Sequence, residues 1–234
     1  MINSLGFSKK NCDTKVIVAM SGGVDSSVAA AMLKKEGYDV TGVTLRLYNQ
    51  INNTHSKTCC AGKDIKDAKK VAEQFDFPHF VLDYQDRFFS GVIDDFVESY
   101  ARGETPIPCI KCNQTVKFTD LLNVAKNQKV DALVTGHYVR RTGGEKNAKM
   151  FKAKDVKKDQ SYFLFATTRE QLDFLRFPIG EYYKFEIREI AKKLSLVVKD
   201  KPDSQDICFV NKNSYRTLIE KLKPESFIKG NIVN

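Results

Sequence analysis

The sequence predicts an α/β fold in which a parallel β-sheet is covered by helices on both faces, with a helical extension towards the C-terminus. Three observations lead to this prediction. Short apolar runs rich in β-branched residues alternate with segments of helical periodicity. The first run is apolar without interruption, as expected for a strand that is buried on both faces. The chain has 234 residues, of which 42% are hydrophobic, so it can bury a sizeable core.

Strand and helix patterns follow one another up to residue 136. Strands are predicted at residues 15–20, 40–48, 79–83 and 131–136, and helices at residues 26–36, 64–75 and 89–100. Apolar positions spaced three to four residues apart indicate the helices, and Gly37 gives the first helix a stop signal. Because helices connect the strands, neighbouring strands are expected to run parallel.

The pattern changes after Tyr138. Residues 140–158 are basic and contain Gly143-Gly144, which predicts a β-hairpin, and helices are predicted near residues 168–175 and 185–194. Six lysines cluster around this hairpin: Lys146, Lys149, Lys152, Lys154, Lys157 and Lys158. Together with the net charge of +9, this cluster favours a polyanionic partner, with nucleic acid as the first candidate.

Composition also predicts the compartment. No apolar run approaches the roughly 18–20 residues of a membrane span, and the polar N-terminus lacks the apolar stretch of a signal peptide. We therefore expect a cytoplasmic protein without a membrane partner. In that compartment the six cysteines favour metal or redox chemistry over a disulfide scaffold.

A glycine-rich phosphate loop, Ser21-Gly22-Gly23-Val24-Asp25-Ser26-Ser27, lies between the first strand and the first helix. Open α/β sheets bind ligands at this position, outside the carboxyl ends of their strands. The glycines permit a sharp turn, the helix start offers unpaired N–H groups, and the three serines add hydroxyl donors. The loop is therefore predicted to hold an anion such as pyrophosphate.

The phosphate loop is not a Walker A motif, because it lacks the required spacing and lysine. The carboxylate of Asp25 would repel a bare phosphate, so we assign it, as a hypothesis, to a Mg²⁺ site. The alternative interpretation of the loop is a glycine turn with a serine N-cap.

Two cysteines lie in segments whose sequence suggests a reactive thiol. Cys112 follows two stiffening prolines, and a helix is predicted to begin near Asn113. A thiol at a helix N-terminus beside Lys111 is expected to have a lowered pKa and to act as a nucleophile. Cys208 lies on the polar segment Asp203-Ser204-Gln205-Asp206-Ile207-Cys208-Phe209, where a buried structural cysteine is the alternative.

The phosphate loop resembles the Ser-Gly-Gly-x-Asp-Ser signature of the PP-loop ATP pyrophosphatases, and the two cysteine segments closely resemble the tRNA-specific 2-thiouridylase family. Three further motifs match that family: Lys57-Thr58-Cys59-Cys60, Thr135-Gly136-His137-Tyr138 and Lys158-Asp159-Gln160-Ser161-Tyr162-Phe163. The matches run in order from about residue 15 to residue 209. The resemblance implies a PP-loop, adenine nucleotide alpha hydrolase-like fold.

The resemblance also implies roles for individual residues. Cys112 would be the nucleophile, and Cys208 would carry a persulfide. The implied tRNA contacts are Lys158, Asp159 and Gln160. The implied ATP-binding residues are Ala19, Met20, Ser21, Gly22, Gly23, Val24, Asp25, Ser26, Leu45 and Gly136. Besides ATP and tRNA, the implied partner is a persulfide sulfur-donor protein, either a cysteine desulfurase or a sulfur relay.

The expected reaction is ATP-dependent thiolation at C2 of the wobble uridine of tRNA. Adenylation turns the C2 oxygen into a leaving group, and the persulfide supplies sulfur. Cys112 would either attack the persulfide, leaving a Cys112–Cys208 disulfide, or attack the base and hold a covalent intermediate. The sequence leaves both routes open.

The pair Cys109-x-x-Cys112 raises two metal alternatives. A zinc site would need a second cysteine pair or a histidine at suitable spacing, and the sequence offers neither. An iron–sulfur cluster on Cys109, Cys112 and Cys208, with an open iron position for sulfide, is a possible alternative that we do not favour.

Two regions are expected along the chain. Residues 1–210 are interpreted as the ATP-binding catalytic domain with the basic hairpin and helical extension, and residues 211–234 as the truncated start of a following tRNA-binding region. Two rival functions are a PP-loop ligase that adenylates another substrate and a truncated, non-catalytic tRNA-binding remnant. The matched cysteine pair favours a thiolase over such a ligase, which needs no thiols.

Overall fold

The computed structural model describes residues 2–48, 62–203, 206–210 and 215–227, and the structural statements below concern these residues. The strands are β1 (Lys15–Ala19), β2 (Asp39–Arg46), β3 (His79–Asp83), β4 (Ala132–Thr135), β5 (Val139–Thr142), β6 (Lys149–Lys152) and β7 (Leu175–Arg176). Five of them form a parallel sheet in the order β3-β2-β1-β4-β7, and β5 pairs with β6 as an antiparallel hairpin.

Helices connect the strands of the sheet. The α-helices are α1 (Val24–Lys35), α2 (Gly62–Gln74), α3 (Gln85–Phe88), α4 (Asp94–Ala101), α5 (Pro108–Cys112), α6 (Leu122–Asn127), α7 (Arg169–Phe174), α8 (Lys184–Lys193) and α9 (Tyr215–Leu222). Two π-helical stretches, Phe89–Ile93 and Asn113–Leu121, continue α3 into α4 and α5 into α6. In the described part of the chain, no helix is long and apolar enough to cross a bilayer.

The sheet separates two apolar layers. Val16 and Val18 of β1 pack into a first layer with residues of α1, α2 and α8. Ile17, between them, packs into a second layer with residues of α3, α4, α5 and α6. Because successive side chains of a strand point to opposite faces, both faces of the sheet are covered by helices. This confirms the predicted α/β fold and its helical C-terminal part.

Most predicted elements lie where the sequence placed them, and the hairpin turns at Gly143-Gly144 as predicted. Two helices begin more than one turn earlier than predicted. The helix predicted at residues 89–100 begins at Gln85. The helix that carries Cys112 begins at Pro108 and not near Asn113. Proline is favoured at the first position of a helix, where its missing N–H would have no partner anyway, so Pro108 starts this helix. The motif Lys57-Thr58-Cys59-Cys60 and the pair Ser204-Gln205 lie outside the described residues.

Candidate active site

The phosphate loop lies at the carboxyl end of β1, in the middle of the sheet. The strand order reverses at this point, because β2 and β3 lie on one side of β1, whereas β4 and β7 lie on the other. Ligands of open α/β sheets bind in the crevice that such a reversal creates. The topology therefore places the predicted nucleotide loop at the position where this fold class holds its ligands.

Two glycines allow the backbone around the loop to pack closely. Gly22 has a φ of +72°, and a Cβ at this residue would lie 2.2 Å from the backbone oxygen of Asp64 in α2. Gly136, which follows β4, contacts the first turn of α1, and a Cβ there would lie 2.7 Å from the Ser26 backbone nitrogen. Neither position can accept a larger residue without movement of a neighbouring backbone. Close backbone contacts therefore fix the shape of the loop.

The start of α1 is arranged to bind an anion through its backbone. Its N-cap, Gly23, makes no side-chain cap hydrogen bond. The Ser26 hydroxyl accepts from the Ser21 backbone N–H at 3.1 Å and lies 3.3 Å from the Ser21 hydroxyl. An uncapped helix start leaves N–H donors for a ligand, and the helix dipole favours negative charge there. The expectation for Ser27 was wrong, since its side chain is fully buried and its hydroxyl has no hydrogen-bond partner.

Asp25 does not lie in a group of metal ligands. Both of its carboxylate oxygens accept from Lys184 Nζ at 2.7 Å, and Oδ1 also accepts from the Tyr138 hydroxyl at 2.8 Å. Among the residues described, no group of three or more His, Cys, Asp or Glu side chains is arranged to hold a metal ion. A carboxylate bound to an ammonium group is a poor ligand for Mg²⁺, which prefers several free oxygens. The donor set present does not fit a resident Mg²⁺.

The remaining residues implied in ATP binding belong to the sheet and to the first turn of α1. Ala19 ends β1, and the Met20 backbone N–H donates to Val43 O at 2.8 Å. Val24 and Leu45 are buried, with Leu45 in β2. Their contact with a nucleotide stays a prediction.

Cys112 differs from its predicted environment. It is the last residue of α5, one turn past the helix start, and its side chain is only 7% exposed. Burial raises the pKa of its thiol, and the nearby charge of Lys117 opposes this rise only in part. The predicted lowering of the pKa was therefore wrong for this state of the protein. Cys112 carries a protonated thiol here, and loss of its proton requires a change in its surroundings.

Cys208 lies on the same face of the sheet as Cys112. Both residues belong to or pack against the second apolar layer. The Tyr48 hydroxyl, just beyond β2, donates to the Cys208 carbonyl at 2.6 Å. The Phe209 ring packs edge-on against Phe88 and Phe96, with centroid distances of 5.7 and 5.2 Å. Because Tyr48 follows the carboxyl end of β2, the Cys208 segment lies towards the same end of the sheet as the phosphate loop.

The third thiol of the proposed cluster does not share this environment. Cys109 is exposed, whereas Cys112 is buried and Cys208 is partly buried. In the residues that the structure describes, these thiols do not form a group arranged to hold a metal ion. The ligand geometry therefore does not support the iron–sulfur alternative in this state.

The predicted tRNA contacts are engaged within the protein. Lys158 Nζ lies 2.8 Å from Asp203 Oδ2. Asp159 accepts from the Ala153 N–H and the Ser161 hydroxyl, while Gln160 Oε1 accepts from the Tyr138 N–H at 2.8 Å. These bonds fix the turn after the hairpin in place, so Asp159 and Gln160 have a structural role here. Their contact with tRNA stays a prediction.

His137 is held in its neutral form. Its ring lies between Phe118 and Phe177, at centroid distances of 6.0 and 6.4 Å, and Nδ1 is 2.8 Å from Thr135 Oγ1. Burial lowers the pKa of His137 from 6.5 to about 3, and the charge of Lys117 contributes to the same shift. A cationic imidazole is therefore excluded at neutral pH.

We expect His137→Asn to make protein stability less sensitive to acid. Below pH 6.5 the unfolded chain binds a proton at His137 and the folded chain does not, so stability falls as the pH drops towards 3. For one proton this amounts to about 1–2 kcal/mol between pH 6.5 and 5. Urea unfolding at both pH values measures the effect, and asparagine preserves an acceptor for Thr135. If the unchanged protein and the His137→Asn variant lost equal stability between these pH values, His137 would not be held neutral in the folded protein.

The sequence did not reveal the ionic contacts of three charged residues of the site. Lys184 binds Asp25, Asp203 accepts from three cations, and Lys201 Nζ donates to Gly22 O at 2.8 Å as well as to two carboxylates of α2. Burial raises the pKa of Asp203, but hydrogen bonds from Lys158 and Lys184 outweigh it and lower the value to about 2. One feature of the sequence could have pointed to Lys184. It lies at the start of a helix, where the helix dipole disfavours a positive charge, so a lysine there suggests a nearby carboxylate partner.

Comparison with known proteins agrees with this fold. Residues 14–212 match the family model described as the tRNA methyl transferase HUP domain. The chain belongs to this family. Curated relatives named tRNA-specific 2-thiouridylase MnmA, from Hyphomonas neptunium and Rhodospirillum centenum, are each 57% identical over all 234 residues. The match covers 59% and 60% of those proteins, so the chain spans about three fifths of their length. The family resemblance predicted from the sequence is confirmed.

Solved structures with low sequence identity share the fold. A 4-thiouridine synthetase, solved in complex with RNA and bound ATP, matches with a TM-score of 0.56 and 18% identity, covering 92% of this chain and 50% of that chain. The NMN synthetase from Francisella tularensis matches with a TM-score of 0.52 and 18% identity, covering 90% and 77%. At this identity the likeness establishes the fold, as predicted from the phosphate loop.

Proposed function

We propose that this chain contains the catalytic site of an ATP-dependent sulfurtransferase that thiolates C2 of the wobble uridine in tRNA. One observation carries the proposal. Asp203, five positions before Cys208, is linked by an ion pair to the phosphate loop, since Lys184 bridges Asp25 and Asp203. This ion pair supports a common location for ATP activation and sulfur delivery at one end of the sheet.

Two reactions are needed for this function. First, the C2 oxygen of the uridine attacks the α-phosphorus of ATP, and pyrophosphate leaves. Sulfur then attacks C2 and AMP departs with the former oxygen. The backbone N–H groups at the start of α1 would hold the phosphates while negative charge shifts to the leaving pyrophosphate. ATP is a substrate here, and no step depends on a metal held by the protein.

Release of sulfur from a persulfide needs two electrons, and the thiols of Cys112 and Cys208 supply them by forming a disulfide. A sulfur-donor protein would load Cys208 as a persulfide. The Cys112 thiolate would attack Sγ of Cys208 and expel the terminal sulfur as hydrosulfide, which attacks C2. The two cysteines become a disulfide, and an external dithiol reduces it for the next turnover. In the alternative route Cys112 attacks C2 and AMP leaves, and the terminal sulfur of the Cys208 persulfide then displaces Cys112 from C2. The released Cys112 thiolate attacks Sγ of Cys208, which frees the thiolated base and leaves the same disulfide for the dithiol to reduce.

The basic hairpin is the proposed tRNA surface. Lysines 146, 149, 152, 154 and 157 are exposed there. Exposed aromatic rings lie in the same stretch of sequence. Phe151, among these lysines, is 44% exposed, and Tyr162 and Phe165, which follow them, are 61% and 67% exposed. Lysines provide contacts to phosphates, and exposed rings can stack on unpaired bases, which is the common way to bind a single-stranded RNA loop.

Three rival functions make different predictions. The description of the family model refers to a methyl transferase, whereas the relatives at 55–57% identity are named as thiouridylases. Neither methyl transfer nor adenylation of a small acid requires the thiols of Cys112 and Cys208. A non-catalytic tRNA-binding remnant would not require the phosphate loop to bind ATP. The joined loop and thiol segment favour thiolation.

The decisive experiment incubates the protein with unmodified tRNA, ATP and a sulfide source. AMP is quantified, and the tRNA nucleosides are analysed by mass spectrometry. The proposal expects one 2-thiouridine at the wobble position and AMP release that depends on tRNA. Binding of tRNA without AMP release would favour the remnant, and AMP release without thiouridine would favour another adenylating enzyme.

Asp25→Asn should lower tRNA-dependent AMP release by at least about tenfold while the affinity for tRNA stays near normal. The reason is that this change removes the charge that holds Lys184 and Tyr138 against the first turn of α1. Asp39→Asn, at an exposed position where β2 begins, serves as the matched control and should behave as the unchanged protein. Unchanged AMP release by the Asp25 variant would remove this residue from the ATP site.

A further inference from the structure

A chain of ion pairs connects the phosphate loop with the segment that leads to Cys208. Lys184 Nζ lies 2.7 Å from both carboxylate oxygens of Asp25 and 2.9 Å from Asp203 Oδ1. Asp203 also accepts from Lys158 Nζ at 2.8 Å and from Arg188 Nη2 at 2.6 Å. Lys184 therefore contacts one carboxylate of the loop and one carboxylate of the sulfur segment at the same time.

The position of Lys184 is explained by these two carboxylates and not by its own helix. It is the first residue of α8, where the helix dipole disfavours a positive charge. Its side chain is only 11% exposed, so the ammonium group has lost much of its hydration. A cation in such a place depends on its partners, and a change at one carboxylate alters its interaction with the other.

The Cys208 segment has a second anchor that carries no charge. The Tyr48 hydroxyl holds the Cys208 carbonyl, and the Phe209 ring packs against Phe88 and Phe96. Charge added at the phosphate loop does not act directly on these contacts. The ionic anchor at Asp203 is therefore the part of the segment that can respond to a ligand in the loop.

We propose that Lys184 is a positioning residue that links nucleotide occupancy of the phosphate loop to the reactivity of Cys208. The inference rests on the proposed function in one respect, namely that the loop binds ATP. Phosphates bound beside Asp25 add negative charge next to Lys184 and draw its ammonium group away from Asp203. The weaker anchor then makes Cys208 more accessible, so that sulfur is delivered when ATP is in place.

The test measures alkylation of Cys208 by iodoacetamide in the full chain. The rate is read from the Cys208-containing peptide by mass spectrometry, with and without saturating α,β-methylene ATP, whose bond between the α- and β-phosphates cannot be cleaved. In the unchanged protein the nucleotide should raise the rate about fivefold or more, a typical size for coupling between two sites. Lys184→Met should react fast in both conditions and show no response to nucleotide.

Lys192→Met is the matched control, because Lys192 lies on the same helix and forms an exposed pair with Glu189. It should keep the full nucleotide response. Asp203→Asn is the second variant, since it leaves the Lys184–Asp25 pair in place. It should also show fast alkylation without a nucleotide response. This variant decides the matter if Lys184→Met binds no nucleotide.

Calorimetric titration of α,β-methylene ATP into each protein separates two kinds of failure. Absence of binding to the unchanged protein would refute ATP use and with it the proposed function. Binding without any change in Cys208 alkylation would overturn the inference alone. A response of normal size in a nucleotide-binding Lys184→Met or Asp203→Asn variant would overturn it as well.

Discussion

Replacing Cys208 with serine is expected to abolish thiolation of tRNA from a persulfide donor while AMP release continues. Serine cannot carry a persulfide, so 2-thiouridine formation should fall by at least about a thousandfold, as is usual when a reacting group is removed. The phosphate loop is not altered, so tRNA-dependent AMP release should stay within about threefold of normal. The two products are measured in the same reaction by nucleoside mass spectrometry and by chromatography of AMP.

Cys12→Ser provides the matched control for this experiment. Cys12 is an exposed free thiol in the N-terminal segment, and its loss should change neither product. Full thiolation by the Cys208 variant with a persulfide donor would refute the role of this residue.

Added inorganic sulfide extends the test to Cys112. It bypasses the persulfide and should restore thiolation in Cys208→Ser. Cys112→Ser should also regain activity with sulfide if Cys112 only releases sulfur from the persulfide. The same variant should stay inactive if Cys112 must attack the base. The result therefore separates the two routes that the sequence leaves open.

Gly22→Ala is expected to destabilise the protein and to remove nucleotide binding. A left-handed φ of +72° costs an alanine about 1–2 kcal/mol. Its Cβ would also lie 2.2 Å from the Asp64 backbone oxygen, so the loop or α2 must move, at a further cost of about 1–3 kcal/mol. Urea unfolding measures the stability, and calorimetric titration with ATP measures the loss of binding.

Gly37→Ala isolates the effect of the close contact. Gly37 also has a left-handed φ, of +88°, but a Cβ there would have no atom within 4 Å. This variant should lose about 1–2 kcal/mol of stability and keep its affinity for ATP. Equal behaviour of the two variants would mean that the contact with α2 does not determine the shape of the loop.

The phosphate loop could be predicted from the sequence because all of its determinants are local. Its glycines, its serines and the following helix lie within a short segment, and the preceding apolar strand fixes its position at the carboxyl end of the sheet. The β-hairpin was predictable for the same reason, since two adjacent glycines mark its turn. Such local patterns determine the backbone conformation of their own segment, whatever the rest of the chain does.

The ionic connections of the site could not be predicted, because their partners are far apart in the chain. Lys184 and Asp25 are separated by 159 positions, and the sequence around either residue does not indicate that the other is its partner. The thiol pKa of Cys112 was mispredicted for a related reason. Its value depends on burial in the second apolar layer, whereas the local pattern of helix start and lysines indicated only the opposing effects.

The burial of Cys112 also affects how the protein responds to oxidants. Peroxides and other oxidants attack thiolates that they can reach, and a protonated sulfur inside an apolar layer reacts slowly with them. Exposed Cys109, three positions earlier in the chain, meets such oxidants first. The Cys112 thiol is therefore expected to stay reduced under oxidative stress for as long as the apolar layer covers it.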